Sequence, residues 1–274
     1  SLKHIRKEDF EYVLILSGDQ LYQMDFTLML ENHKNAGADI SIATIPVAMH
    51  EATEFGILKS DENNLITSFI EKPSLHLLPD WVSETTAEMK EQGRVYLASM
   101  GIYVFETKFL FQMLQEDADD PNSSRDFGND IIPKIVKNGK AVAHRFSNSC
   151  IRAAEEIEEY WRDVGTIDAY FEANLDLTDT VPKLNMYDRD WPIWTDQIIA
   201  APAKFVHDED GRRGMAISSL VSGGCIVSGA SIRRSLVGTG ARVHSYAFIE
   251  NSVILPAVEI GRGARLRNVV VDKG

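Results

Sequence analysis

Residues 220–267 read LVSGG CIVSG ASIRR SLVGT GARVH SYAFI ENSVI LPAVE IGRGA RLR. Aliphatic residues recur here at steps of six, six and five, at Leu220, Ile226, Ile232, Val237, Val243, Ile249, Ile254, Ile260 and Leu266. One aliphatic residue for each side of a narrow core, with small residues at the corners, is the hexapeptide pattern of a parallel β-helix. The five-residue step recurs every 17 positions. We therefore predict a left-handed parallel β-helix over residues 216–274, with these aliphatic side chains pointing inward.

The chain before this stretch has a different composition. Residues 182–202 are rich in Pro and Trp and show little periodicity, so we interpret residues 181–215 as a linker. Residues 1–180 alternate strand-like and helix-like segments, which is typical of an α/β domain. The predicted fold is therefore a Rossmann-like α/β domain followed by the β-helix.

The first strand of the α/β domain leads to a candidate functional acid. Five apolar or β-forming residues, Tyr12–Leu16, precede Ser-Gly-Asp, and they predict a buried strand of a parallel sheet that ends in a loop. Ligands bind at the carboxyl ends of strands in open α/β sheets. Asp19 is placed there, although an Asp after Gly also closes turns by bonding its own backbone.

The next elements follow from capping and turn residues. Asp25 can cap a helix that Gly37 ends, and Ile40–Val47 follows as a strand, so the unit is βαβ. Residues 55–59 and 65–70 predict a hairpin around a polar turn. We interpret the acidic run at residues 116–120 as a solvated loop rather than a metal site.

Composition excludes several classes of protein. The chain of 274 residues carries a formal net charge of −13, which argues against a nucleic-acid surface. The two cysteines, Cys150 and Cys225, have neither disulfide-framework nor zinc-site spacing. No apolar run approaches the roughly 20 residues of a membrane span, and residues 1–8 lack the apolar core of a signal peptide. A reducing cytoplasm is the expected location.

Seven short motifs follow one another in a fixed order. They are Leu-Ser-Gly-Asp-Gln from Leu16, Glu-Phe-Gly from Glu54, Phe-Ile-Glu-Lys-Pro from Phe69, Ser-Met-Gly-Ile-Tyr from Ser99, Asp-Phe-Gly from Asp126, Tyr-Trp-Arg-Asp-Val-Gly-Thr from Tyr160 and Leu-Val-Ser-Gly-Gly-Cys from Leu220. Each is weak alone, but in this order and spacing they are specific. The chain resembles the glucose-1-phosphate adenylyltransferases (ADP-glucose pyrophosphorylases) over essentially its whole length.

This resemblance implies a reaction and a metal. A phosphate oxygen of glucose 1-phosphate would attack the α-phosphorus of ATP, forming ADP-glucose and pyrophosphate for glycogen or starch synthesis. Bringing two anions together requires positioning and charge neutralisation. Mg²⁺ suits this because it binds one or two carboxylates together with substrate phosphates. The family comparison assigns the metal to Asp19 and Asp163, both as catalytic residues.

The resemblance also implies a sugar-phosphate site. Lys72 would bind the phosphate as a catalytic residue and Glu71 the sugar hydroxyls, whereas from the residues alone Lys72 is equally well a surface lysine beside a Pro turn. Trp161 would stack on the site, although a Trp beside a strand is more often part of the core. The implied glucose 1-phosphate residues are Gly56, Glu71, Lys72, Ser99, Tyr103 and Trp161.

Two departures from the family pattern concern its ends and its regulation. The family opens with a glycine-rich, basic loop that cradles the triphosphate, and nothing before Tyr12 matches it, so the chain is expected to begin inside the catalytic domain and to stop short in the β-helix. Gln20 stands where bacterial members often have His. Phosphorylated sugars, AMP or phosphate are the expected effectors, and a homotetramer is the expected assembly.

Three alternatives remain open. The first is a sugar-1-phosphate nucleotidylyltransferase of other base or sugar specificity, because the base-reading residues are missing. The second is a non-catalytic regulatory subunit of the same fold, which loss of the N-terminal loop favours and retention of Asp19, Lys72 and Asp163 disfavours. The third is a hexapeptide acyltransferase, for which His244 is the only candidate catalytic residue.

Overall fold

The computed structural model describes residues 10–152, 159–195, 198–209 and 211–273. The chain forms two compact units. The first consists of the chain up to Gly18 together with Met24–Cys150, and the second of Asp19–Gln23 together with the chain from Ile151 onward. Each unit is described by itself.

The strands and helices up to residue 176 alternate along the chain. The strands are β1 (Tyr12–Ile15), β2 (Gln20–Tyr22), β3 (Ile40–Val47), β4 (Ile57–Ser60), β5 (Ile66–Ile70), β6 (Tyr96–Glu106), β7 (Ala141–Arg145) and β8 (Trp161–Asp163). The helices are α1 (Phe26–Ala36), α2 (Met49–Ala52), α3 (Ala87–Glu91), α4 (Thr107–Asp119), α5 (Ile132–Asn138) and α6 (Ile167–Asp176). Short 3₁₀ turns span Leu78–Trp81 and Phe146–Asn148, and Phe127–Ile131 is π-helical.

A mixed sheet forms the core of the first unit. Its strand order is β5-β4-β6-β3-β7, with β1 pairing to β6. Every residue of β3 is buried, as expected for a central strand covered on both faces. The apolar cluster around it includes Ile40, Ile42, Leu97, Phe105 and Ile135. The predicted α/β fold of this part of the chain is therefore confirmed.

The prediction for the first strand is wrong in two respects. β1 pairs antiparallel with β6, with Tyr12 opposite Glu106 and Ile15 opposite Tyr103, and its residues are half-buried or exposed. β3 also runs antiparallel to β6. β1 and β3 therefore share a direction, as in the predicted βαβ unit, but they do not pair with each other because β6 lies between them.

The predicted caps and hairpin are confirmed. Asp25 caps α1 by accepting a hydrogen bond from the Thr27 N–H at 2.8 Å, and Gly37 ends it in the left-handed conformation with φ of 55°. The strand Ile40–Val47 has the predicted bounds. β4 and β5 form the antiparallel hairpin, and Asn64 adopts φ of 61° in its turn.

The acidic run at residues 116–120 is helical through Asp119, so the loop prediction is wrong there. Asp117 is only 6% exposed. It accepts a hydrogen bond from Ser123 Oγ and forms an ion pair with Arg125 at 3.5 Å. The chain that folds back after α4 thus supplies partners that allow this carboxylate to be buried.

Three sheets form the β-helix of the second unit. Its strands are β9 (Lys204–Glu209), β10 (Arg212–Arg213), β11 (Met215–Ile217), β12 (Leu220–Val221), β13 (Ile226–Ser228), β14 (Ser231–Arg233), β15 (Leu236–Val237), β16 (Arg242–Val243), β17 (Phe248–Glu250), β18 (Val253–Ile254), β19 (Glu259–Ile260), β20 (Arg265–Arg267) and β21 (Val270–Val271). The sheet orders are β10-β9-β13-β16-β19, β11-β14-β17-β20 and β12-β15-β18-β21. Pairing is parallel throughout except between β9 and β10. The predicted β-helix is confirmed.

The first turn of the β-helix is one residue out of phase with the prediction. Ile226 is 36% exposed, whereas Val227 is fully buried, and Val221 rather than Leu220 pairs in line with the buried Val237. Residues 220–221 and 226–227 are each a pair of adjacent aliphatic residues. The spacing alone therefore selected the wrong residue of each pair. Strand pairing also begins at Lys204, which pairs with Ile226, inside the segment interpreted as a linker.

None of the helices in the described part of the chain is long and apolar enough to cross a membrane.

Candidate active site

Two of the predicted acids lie side by side in the second unit. β2 and β8 pair antiparallel, with Gln20 opposite Asp163. Asp19 directly precedes β2, and its carbonyl accepts a hydrogen bond from the Val164 N–H at 2.8 Å. This pairing brings together two acids that are 144 positions apart in the sequence.

Both carboxylates face Gly165. The Gly165 N–H donates to Asp163 Oδ1 at 2.8 Å. A Cβ atom at Gly165 would lie 3.0 Å from Asp163 Oδ1 and 3.5 Å from Asp19 Oδ2. Asp163 is half-buried and Asp19 is exposed, so this pair of carboxylates is open on the Asp19 side.

The pair fits a hard divalent cation whose coordination a substrate completes. No cluster of three or more His, Cys, Asp or Glu residues suited to a metal occurs within the described ranges. Mg²⁺ is characteristically held by one or two carboxylates together with water and substrate phosphates. Asp19 and Asp163 supply that donor set.

The neighbours of Asp163 on β8 are held in place. Trp161 is half-buried, and its Nε1 donates to Gln20 Oε1 at 3.3 Å. Arg162 forms ion pairs with Glu172 at 3.1 Å and Asp176 at 3.0 Å. The Tyr160 hydroxyl also donates to Asp176, and burial together with that carboxylate raises the pKa of Tyr160 to about 12. These contacts fix β8 against α6.

All of the predicted glucose 1-phosphate residues except Trp161 belong to the first unit, with Gly56 against the Glu71 side chain. A Cβ atom at Gly56 would lie 2.8 Å from Glu71 Oε2, and one at Gly128 would overlap the same oxygen and Cδ. The Glu71 side chain therefore lies between two glycine backbones. Burial, and secondarily the negative charge of Asp126, raise the pKa of Glu71.

Ser99 and Tyr103 flank an irregularity in β6. Thr44 pairs with Ser99 and Ile42 with Tyr103, so β6 bulges between them. Gly101 takes φ of 69° there, and its N–H donates to Ser99 Oγ at 3.3 Å. The Ser99 and Tyr103 hydroxyls are 3.5 Å apart, and burial raises the pKa of Tyr103. Bulges of this kind commonly aim side chains into functional sites.

Lys72 follows β5 in a strained conformation. Its φ is 43°, which is uncommon for a residue with a Cβ and characteristic of functional sites. The Lys72 N–H donates to the Phe55 carbonyl at 3.1 Å, and the side chain is exposed. Pro73 after it is buried. The backbone thus holds an exposed lysine directly after Glu71.

The structure groups the predicted residues into two sets. Asp19, Trp161 and Asp163 belong to the second unit. The set in the first unit comprises Gly56, Glu71, Lys72, Ser99 and Tyr103. Their roles in binding and catalysis stay predictions.

Three contributors were not singled out from the sequence. Gly128 lies against the Glu71 side chain, Asp126 acts on it through its negative charge, and Gly165 lies against the carboxylate pair. All three belong to motifs quoted above, Asp-Phe-Gly and Tyr-Trp-Arg-Asp-Val-Gly-Thr. The two glycines each follow an acid by two residues. This spacing could have drawn attention to them, since glycine permits a close approach to the backbone.

His244, the residue on which the acyltransferase alternative depends, already has a partner. Its Nε2 lies 2.7 Å from Glu259 Oε1, and both side chains are on the surface of the β-helix.

Two family models match the chain. The nucleotidyl transferase family model matches residues 1–180, and the model of the GlmU-like C-terminal hexapeptide region matches residues 201–274. Because the first match covers more than half of the sequence, the chain belongs to the nucleotidyl transferase family.

Several similar proteins carry a more specific name. The glucose-1-phosphate adenylyltransferase of Novosphingobium aromaticivorans is 65% identical over 264 residues, which cover 96% of this chain and 61% of that protein. Those of Bradyrhizobium diazoefficiens and Gemmatimonas aurantiaca are 53% and 54% identical, over 98% and 96% of this chain and 62% and 61% of their own lengths. The chain therefore spans about three fifths of the length of these relatives.

Proposed function

We propose that this chain carries catalytic residues of a glucose-1-phosphate adenylyltransferase, which forms ADP-glucose and pyrophosphate from ATP and glucose 1-phosphate for glycogen or starch synthesis. The observation that supports this most is the pair of carboxylates, Asp19 and Asp163, facing Gly165. The name of relatives up to 65% identical supports the choice of ATP and glucose 1-phosphate.

Asp19 and Asp163 would hold Mg²⁺. When bound, the ion supplies charge neutralisation for the phosphates. The chain itself holds the two carboxylates near each other, through the β2–β8 pairing and the turn at Gly165. Positioning of this kind accounts for a large share of the rate enhancement in reactions between two bound anions.

The set around Glu71 would bind glucose 1-phosphate. The Glu71 carboxylate accepts hydrogen bonds from sugar hydroxyls, and the Ser99 and Tyr103 hydroxyls lie 3.5 Å apart to extend that polar surface. Lys72 neutralises the sugar phosphate as a compact charge. Trp161 would pack against a substrate, with its indole N–H held by Gln20.

The assembly and regulation follow the same proposal. We expect a cytoplasmic homotetramer that responds to phosphorylated sugars, AMP or phosphate. Light scattering of the purified protein, and assays with and without each effector, test this part separately from the reaction.

Pyrophosphate release with Mg²⁺ tests the reaction. Each nucleoside triphosphate is combined in turn with glucose 1-phosphate and with mannose 1-phosphate. We expect the fastest release with ATP and glucose 1-phosphate. Faster release with another pair would favour a nucleotidylyltransferase of other specificity, and no release with any pair would favour either an incomplete catalytic domain or a non-catalytic subunit.

A further inference from the structure

The Glu71 side chain occupies a slot whose two walls are glycine backbones. For Gly128, the three heavy atoms nearest a hypothetical Cβ all belong to Glu71, namely Oε2, Cδ and Cγ. For Gly56, they are two atoms of the Phe69 ring and Glu71 Oε2. A methyl group on either wall would occupy space that the Glu71 side chain now fills.

Neither wall can move away easily. Gly128 lies in the π-helical turn that Asp126 caps by accepting a hydrogen bond from the Asn129 N–H at 2.8 Å. Phe127 stacks on Tyr103 with 6.1 Å between ring centroids, and Ile131 is buried. On the other wall, the Gly56 carbonyl accepts a hydrogen bond from the Ser99 N–H at 2.8 Å.

A new methyl group at Gly128 must therefore be accommodated by Glu71 rather than by the wall, whereas one at Gly56 would first meet the Phe69 ring. The flexible Glu71 side chain would rotate out of the slot, and its carboxylate would leave its present position near Asp126 and Tyr103. A displacement of about 1 Å in a binding group can cost a large factor in substrate binding or turnover.

We propose that Gly128 is a positioning residue that, together with Gly56, fixes the Glu71 carboxylate for recognition of the hexose hydroxyls. This inference rests on the proposed function, since it takes Glu71 as the sugar-binding group. It assigns Gly128 a role that acts entirely through Glu71.

A double-mutant cycle tests this role, with the variants Gly128→Ala, Glu71→Ala and the two combined. Steady-state kinetics should show that Gly128→Ala raises the KM for glucose 1-phosphate about tenfold. The KM for ATP should change less than about twofold, because the effect is confined to the sugar site. In the Glu71→Ala background, Gly128→Ala should produce no further rise.

Thermal unfolding of the same four proteins gives a readout that needs no activity. Gly128→Ala should lower the melting temperature by about 2–4 °C when Glu71 is present, and by much less in the Glu71→Ala background, because the overlapping side chain is then absent. Gly261→Ala serves as the matched control, since a Cβ there would meet no heavy atom within 4 Å. It should change neither the KM values nor the melting temperature appreciably.

Equal effects of Gly128→Ala with and without Glu71 would overturn the proposal, since the methyl group would then disturb something other than Glu71. Unchanged KM and melting temperature in Gly128→Ala would also overturn it. If the unmodified protein releases no pyrophosphate from ATP and glucose 1-phosphate, the proposed function fails. The thermal cycle then decides by itself whether the slot exists.

Discussion

The β-helix (β9 to β21) and the α/β region (β1 to α6, called the α/β unit below) both contain residues with positive φ, but they use them differently. In the β-helix, Arg234, Asn251 and Asn268 take φ of 42°, 45° and 53°, and they recur every 17 residues at equivalent corners. In the α/β unit, Lys72 and Gly101 take φ of 43° and 69°, each at a place without a repeat. Left-handed residues recur at equivalent corners of a regular coil in one region, whereas in the other they occur singly, and Lys72 and Gly101 lie among the predicted sugar-site residues.

The buried polar groups differ in the same way. The β-helix buries Ser235 and Ser252, which lie 17 residues apart and bond to each other through the Ser252 N–H and Ser235 Oγ at 3.0 Å. The α/β unit buries Ser99, His33 and His144, whose surroundings have no equivalent elsewhere. Chemistry is therefore expected where irregular positions accumulate, and stability where positions repeat.

The largest effect is expected at the carboxylate pair. Asp19→Asn keeps the shape of the side chain and removes a charge at the proposed metal site, so turnover should fall on the order of a hundredfold or more. The melting temperature should stay close to that of the unmodified protein. Pyrophosphate release and thermal unfolding measure the two quantities, and near-normal turnover would remove Asp19 from the mechanism.

In the β-helix, a core substitution should instead lower stability and leave turnover unchanged. Ile249 is fully buried in its core, so Ile249→Ala should lower the free energy of unfolding by about 3 kcal/mol, through lost burial and the cavity left behind. Denaturant unfolding measures this loss. Turnover per folded molecule should remain unchanged at temperatures where the variant is folded, and a selective loss of turnover would contradict the contrast between the regions.

Acidification should destabilise the α/β unit through a buried histidine. His144 is only 3% exposed. Its Nε2 lies 2.8 Å from Ser149 Oγ, and its Nδ1 lies 3.1 Å from Asn32 Nδ2. Burial lowers its pKa to about 4. Because the unfolded state binds a proton near pH 6.5 and the folded state does not, its stabilisation is complete above pH 6.5 and is lost as the pH falls toward 4.

This loss should amount to about 3 kcal/mol, measured by denaturant unfolding across that pH range. Burial also lowers the pKa of His33. This residue should therefore also make the free energy of unfolding fall as the pH falls. His144→Gln should flatten the pH dependence. An unchanged slope in His144→Gln would mean that this residue is not the source.

The smallest effect is expected from a surface ion pair of the β-helix. Glu250 and Arg267 pair at 2.8 Å, and the Arg267 side chain is 67% exposed. Exposed pairs contribute little because water screens them. Glu250→Gln should therefore change the free energy of unfolding by less than about 1 kcal/mol. A larger loss would indicate that surface contacts, not the repeated core, stabilise this region.

Local patterns predicted the elements whose causes are local. The cap at Asp25, the stop at Gly37 and the apolar strand Ile40–Val47 each follow from a few neighbouring residues, and all three are confirmed. The hexapeptide period likewise predicted the β-helix, because each turn repeats the environment of the one before it.

The errors arose where distant partners decide the outcome. Tyr12–Leu16 was expected in a parallel sheet, but β1 pairs antiparallel with a strand that is about 90 residues further along the chain. Ile226 and Val227 are equally apolar, and only the register with β9 and β16 determines that Val227 points inward. Asp117 can be buried because Ser123 and Arg125, further along the chain, supply partners for its carboxylate.

The candidate site shows the same limit. Motif resemblance selected Asp19 and Asp163, yet their approach depends on the β2–β8 register. Gly128 and Gly165 matter because they have no side chain. Only the positions of the neighbouring atoms show that a side chain would not fit there without a shift.

The most direct test of the account compares turnover in Asp19→Asn, Asp163→Asn and the double variant, at saturating ATP, glucose 1-phosphate and Mg²⁺. If the two carboxylates act as one unit, the double variant should lose about as much turnover as either single variant. A loss close to the product of the two single losses would contradict this, as would an Asp163→Asn variant with normal turnover.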